Sequence, residues 1–191
     1  MPSEDRAKYC KERLLTPQDD ETLEYPNIEP NYLEYITVVG EDEGTVKICM
    51  YIWEPEDIRK AKGILFMIHG INAYMGTMSY LADYIRKNND LIIVGHDVRN
   101  YGRTTGEKRG YLEELDELNG DIDKVVYWGR NKYGWDKPIS MAGFSMGGAL
   151  TLRFTTLNKN HKFSWVIFIN PGIKGNPGKE INLSVVDKTK I

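Results

Sequence analysis

Pro138-Ile139-Ser140-Met141-Ala142-Gly143-Phe144-Ser145-Met146-Gly147-Gly148-Ala149-Leu150 decides how this chain folds. An apolar run of strand character enters the pentapeptide Gly143-Phe144-Ser145-Met146-Gly147, and a helix-forming run, Gly148 to Phe154, leaves it. Strand, G-x-S-x-G, helix is the order that holds a serine on a sharp turn with its hydroxyl above the carboxyl edge of a sheet. Gly143 and Gly147 are glycines because a side chain at either place would strike the neighbouring strand or helix. The turn also sets the N–H of Met146 at a helix N-terminus, where a developing oxyanion is stabilised. Ser145 is therefore a candidate nucleophile. The plainer reading is a Gly-rich strand-to-helix turn whose serine caps the helix.

Outward from that stretch, three more apolar runs share its texture: Gly63 to Ile68, Leu91 to Val94 and Trp165 to Ile169. Such continuous runs are expected of strands covered on both faces in a parallel sheet. Helix-length segments separate them. Thr77 to Asn88 carries Tyr80, Leu81, Tyr84 and Ile85 on one stripe. Tyr111 to Arg130 carries Leu112, Leu115, Leu118, Ile122, Val125 and Val126 at three- and four-residue steps. Upstream, Tyr35 to Val39 and Thr45 to Trp53 flank Gly40 to Gly44 and predict a hairpin. Val46, Ile48, Met50 and Ile52 alternate there with Lys47, Cys49 and Tyr51, which predicts one buried face. An antiparallel hairpin followed by alternating β and α predicts an α/β fold with a mainly parallel sheet. Residues 1–33 read as a polar arm with a short helix around Arg6 to Leu14, and residues 34–191 as the core.

At 191 residues the chain is long enough for one domain with a sizeable core. A net charge of -3 offers no basic face to nucleic acid or to an anionic membrane. Cys10 and Cys49 cannot form a disulfide framework; they suit a reducing compartment as a surface and a core residue. The first twenty residues lack the apolar segment of a secretory signal, and no run approaches the roughly 18 apolar residues of a membrane helix. A cytoplasmic location is the expectation, and oligomeric state is not read from these residues.

Ligands of such sheets bind beyond the carboxyl ends of the strands, so three loops should converge on Ser145. The first is His69-Gly70-Ile71-Asn72. Gly70 lets the backbone approach the reacting carbonyl, making the N–H of Ile71 the second oxyanion donor beside Met146. His69, at a strand end, reads as a structural hydrogen-bonder more readily than as a base. The second loop holds Asp97 and Arg99, expected to pair locally and shape it. The third is Asn170-Pro171-Gly172; some hydrolases keep a catalytic acid at this point, but Asn170 cannot carry the charge.

His69-Gly70, Gly95-His96-Asp97 with Tyr101 to Gly106, Arg109-Gly110-Tyr111 and Gly143 to Gly148 follow one another in an order and spacing with a precedent. Across roughly residues 35 to 172 the chain resembles the monoacylglycerol lipase and lysophospholipase branch of the α/β-hydrolase superfamily, also described as serine aminopeptidase S33-like. Phe144 replaces the histidine of that branch's usual elbow, and Tyr101 and Thr104 depart from its D-x-x-G-H-G-x-S loop. The resemblance implies a serine ester hydrolase acting on acylglycerols, lysophospholipids or similar acyl esters, without metal or organic cofactor. It leaves peripheral membrane contact open.

In this fold the triad runs serine, acid, histidine along the chain. His161 is the only histidine after Ser145, and the helix between them would put it roughly 20 Å from the hydroxyl. Asp187, the only carboxylate after Glu180, lies in no acid-loop pattern. No triad acid and no triad histidine are thus assigned. The expectation is an amino-terminal portion of a hydrolase, nearly inactive by itself, with the strand Trp165 to Ile169 as an apolar edge. A non-catalytic binding or scaffold protein on the same core is the rival reading. A peptidase of S33 type is a third.

Overall fold

The computed structural model describes residues 28–39, 44–105, 109–111 and 114–172. The helix expected around Arg6 to Leu14, Cys10, Leu112 and Asp187 lie outside the described residues. Six strands form one sheet in the order β1-β2-β4-β3-β5-β6. They are β1 (Tyr32–Val39), β2 (Thr45–Trp53), β3 (Gly63–Ile68), β4 (Leu91–His96), β5 (Ile139–Phe144) and β6 (Phe163–Ile169). The helices are α1 (Ser79–Asn89), α2 (Leu115–Tyr133) and α3 (Met146–Leu157). β1, β2 and β4 pair antiparallel, whereas β4, β3, β5 and β6 run parallel. The α/β-hydrolase expectation of a parallel sheet led by an antiparallel hairpin holds. β1 begins at Tyr32, so the last two residues assigned to the polar arm belong to the sheet.

Alternation along the strands divides the core into two layers. Ile48, Met50, Ile52, Ile64, Phe66 and Ile68 face one side with Leu118, Ile122, Val125 and Val126 of α2 and Leu150 and Phe154 of α3. Cys49, Tyr51, Trp53, Leu65 and Met67 face the other with Met75, Met78 and Ala82. Each Ile, Leu, Val, Phe or Met among them contributes about 1.5–3 kcal/mol on full burial. The expectation of one buried face on this hairpin is corrected here: from Ile48 onward β2 is buried on both faces. It is an interior strand between β1 and β4, and α1 covers its second face.

The stripe expected on α1 is also corrected. Leu81 and Ile85 pack against the core, but Tyr80 and Tyr84 are exposed, and Ala82 and Asp83 are the buried residues. Asp83 sits buried because Arg86 and Lys87 reach back to it at 2.6 and 2.7 Å, which lets the helix roll Ala82 onto the sheet. β6 does not have the two covered faces its apolar run predicts. Trp165 is 74% exposed, and among the described residues only β5 pairs with this strand.

Connections place the site. From β3 the chain crosses by α1 to β4 on one side; from β5 it crosses by α3 to β6 on the other. The loops after β3 and β5 therefore part in opposite directions, opening a crevice at the carboxyl ends of these neighbouring strands.

Candidate active site

Ser145 occupies the bend between β5 and α3 with φ 51° and ψ −114°, a backbone region costly for a residue with a side chain. Four hydrogen bonds hold it there. Its N–H donates to the Ile169 carbonyl at 2.9 Å, and its carbonyl accepts from Gly148, Ala149 and Gly172 at 3.0, 3.2 and 2.9 Å. The clamp thus comes from β6 and the loop after it as much as from α3. The hydroxyl makes no capping bond to the helix, and the residue is half-buried at the crevice.

The glycines explain the close packing. A Cβ at Gly143 would collide with the Gly147 carbonyl, and one at Gly147 with the carbonyl of Ile68 and, at 2.6 Å, that of His69. α3 therefore starts directly against the end of β3. A Cβ at Gly70 would come 2.9 Å from the Phe144 ring and 3.3 Å from Ser145 Cβ. The loop carrying Ile71 and the turn carrying Ser145 consequently meet. Among the described residues neither the N–H of Ile71 nor that of Met146 donates a hydrogen bond. Unpaired N–H groups beside a half-exposed hydroxyl, one of them at a helix N-terminus, can accept a negative oxygen.

His69 is fully buried with both ring nitrogens engaged. Nδ1 meets the Gly70 carbonyl at 2.7 Å, and Nε2 accepts the N–H of Val98 at 3.0 Å. Those partners define a neutral ring protonated at Nδ1, and burial lowers its pKa. His96 is also buried, which pushes its pKa down to about 3. His161 lies beyond the far end of α3, paired to Asp123 at 3.0 Å. The three histidines of the chain are thus held away from general-base duty at Ser145.

Asp97 does not pair with Arg99. Its carboxylate accepts the N–H of Met75 at 2.6 Å, the N–H of Arg103 at 2.7 Å and the Tyr51 hydroxyl at 3.2 Å. Burial raises its pKa, and the two N–H bonds work against that rise. Arg99 turns away to Asp121, at 2.9 and 2.8 Å, and to Glu117 at 3.2 Å on α2. β4 ends at His96 and the chain turns at Arg99 and Asn100, which carries the two side chains apart. Glu117 and Asp121, one helical turn apart, were the sequence signal for the actual partner. The loop departures carry their own bonds: Tyr101 donates to the Gly110 carbonyl at 2.9 Å, and Thr104 bridges Cys49 N–H and the Asp97 carbonyl at 2.9 and 2.6 Å.

Sequence reasoning missed two parts of the site. Asn72, with φ 56°, turns the loop after β3, and the Gly172 N–H pins the Ser145 carbonyl. The Asn and Pro-Gly turn residues were the available signals. Among the described residues no three His, Cys, Asp or Glu side chains gather where a metal could sit, and no helix is long and apolar enough to cross a membrane.

The chain matches the profile of the family described as "Serine aminopeptidase, S33" over residues 59–189. It is 27% identical over 154 residues to the mouse (Mus musculus) protein named monoglyceride lipase, an alignment covering 75% of this chain and 45% of that one. It is 25% identical over 140 residues to Phospholipase YtpA of Bacillus subtilis, covering 71% and 50%. The crystal structure of a soluble variant of Saccharomyces cerevisiae monoglyceride lipase superposes with a TM-score of 0.61 at 22% identity, covering 75% of this chain and 46% of that one. The chain spans about half the length of the curated relatives it matches. With a serine on a strand-to-helix elbow, an S33 profile over most of the chain and an α/β-hydrolase sheet, this chain belongs to the serine aminopeptidase S33 family of α/β-hydrolases.

Proposed function

We propose that Ser145 is the nucleophile of a serine ester hydrolase acting on acyl esters of the monoacylglycerol or lysophospholipid kind. Its oxygen would attack the ester carbonyl, and the N–H groups of Ile71 and Met146 would receive the resulting oxyanion. Collapse of that intermediate would expel the alcohol and leave an acyl-serine for water to cleave. One observation carries the reading: two N–H groups without partners among the described residues lie beside a half-exposed serine clamped in a costly conformation. His69, Gly70, Gly143, Gly147 and Asp97 would be supports that set the loops, not groups that touch substrate. A cytosolic setting fits the free, buried thiol of Cys49.

Turnover needs a base within about 3 Å of the hydroxyl, and the histidines of this chain are committed elsewhere. We therefore expect these residues alone to turn over ester poorly; losing the histidine of a serine triad can cost about 10⁶ in rate. The same observation favours the second reading, a non-catalytic binding protein on a hydrolase core. The aminopeptidase description of the family supports a third, in which the bond cleaved is an amide.

A fluorophosphonate probe, applied to a chain that supplies a base to Ser145, separates them. Stoichiometric labelling that disappears in Ser145→Ala supports the nucleophile. Labelling at other residues, or equal labelling of the variant, removes it.

A further inference from the structure

Beside the candidate oxyanion loop lies an open cleft of about 600 Å³, walled by Asn72 and Tyr74 on one side and by Asn100, Gly102, Arg103 and Arg109 on the other. Asn72 follows Ile71, and Cα steps of 3.8 Å keep it within about 7.6 Å of Gly70, whose backbone touches the serine turn. The alcohol side of an ester held at Ser145 would thus reach this cleft through a glycerol-sized spacer.

The cleft carries positive charge in a chain whose net charge is -3. Arg103 and Arg109 line it, and among the described residues no carboxylate does. Arg109 is fixed by donating to the carbonyls of Thr104 at 3.1 Å and Gly102 at 2.6 Å. Arg103 differs. Its backbone N–H is anchored on Asp97, yet among the described residues its exposed guanidinium has no hydrogen-bond partner. The nearby Asp97 carboxylate is fully buried and already engages Met75, Arg103 N–H and Tyr51. A planar fork of donors without a hydrogen-bond partner among the described residues, on a loop anchored through Asp97 and backed by a second cation, suits an anion that takes two hydrogen bonds at once. A neutral glycerol head would leave that charge without a counterpart.

We infer that this cleft is a head-group subsite for an anionic substituent, a phosphate ester foremost, borne on the alcohol side of the acyl ester, with Arg103 as the specificity-determining cation. The inference rests on Ser145 marking the acyl centre. It assigns the substrate class to anionic lysophospholipids over neutral monoacylglycerols.

Equilibrium binding to the Ser145→Ala chain tests it, with hexanoyl lysophosphatidate, monohexanoylglycerol and inorganic phosphate as probes. Lysophosphatidate should bind about tenfold more tightly than the neutral ester, and added salt should erode the difference. Arg103→Gln should abolish the advantage without weakening the neutral ester, and Arg103→Lys should recover most of it. Equal binding of the two esters overturns the inference, as does an advantage that survives Arg103→Gln. Inorganic phosphate matching lysophosphatidate overturns the head-group assignment in favour of a free-anion site. Fluorophosphonate labelling of the unsubstituted chain is read separately: an Arg103-dependent preference without labelling keeps the subsite and removes only the nucleophile.

Discussion

Asp97 Oδ1 accepts the backbone N–H of Met75 at 2.6 Å, and this bond latches the segment following Ile71 to the loop that follows β4. The other oxygen holds Arg103, so one buried carboxylate sets the spacing of two loops around the crevice. Asp97→Ala leaves two N–H groups and the Tyr51 hydroxyl without their acceptor, each worth about 1–3 kcal/mol when buried unpaired. The expected loss is roughly 3 kcal/mol by urea unfolding, with slower fluorophosphonate labelling of Ser145. Asp97→Asn keeps one acceptor and should lose less. Equal stability of Asp97→Ala and the parent chain would refute the latch.

Two glycines test packing with opposite signs. A Cβ at Gly147 meets the backbone of Ile68 and His69, neither of which can step aside without moving β3. Gly147→Ala should cost about 1–3 kcal/mol and displace the Met146 N–H. Gly120, within α2, has nothing within 4 Å of its Cβ position. Gly120→Ala should stabilise by about 0.5–1 kcal/mol through helix propensity. Thermal melts that rank the pair the other way would contradict the packing described.

Arg99 and Asp121 form a buried pair, with side-chain exposures of 4% and 6%. Arg99→Met strands the Asp121 carboxylate and should cost about 3–5 kcal/mol. Adding Asp121→Leu removes the stranded charge and should restore part of that loss. A double variant no better than the single one would show that the pair is not the source.

The fold should weaken in acid. With His96 held at about 3 against its ordinary 6.5, the unfolded chain binds a proton through that window and the folded chain does not. Its contribution is complete above pH 6.5 and is lost as pH falls towards 3, at about 1.36 kcal/mol per pH unit. His69 acts in the same direction. Asp97 and Asp121, whose pKa values are raised mainly by burial, act in the other, because the folded chain holds their protons more readily. Urea midpoints should fall between pH 7 and pH 4.5, and His96→Asn should flatten the fall. A pH-independent midpoint would contradict the burial of this ring.

The order of elements was legible because it rests on local chemistry. Continuous apolar runs became β3, β4 and β5, the three- and four-residue apolar steps became α2, and the Gly143–Gly147 pentapeptide became the elbow. Each is written within one stretch of chain, where period and turn residues suffice. The burial of Tyr51 was not legible, since it depends on α1 arriving over β2 from elsewhere in the chain. Nor was the exposure of Tyr80 and Tyr84.

By itself the amino-acid sequence determined the alternation of strand and helix, the serine on its turn and the family to which that turn belongs. Only the tertiary structure decided which groups meet there. It took Arg99 from Asp97 to Asp121, locked both nitrogens of His69, and left the N–H groups of Ile71 and Met146 without partners among the described residues. The reason is distance: these relations join residues up to about seventy-five positions apart, brought together only by strand order, and no local period encodes who the neighbour across a sheet will be.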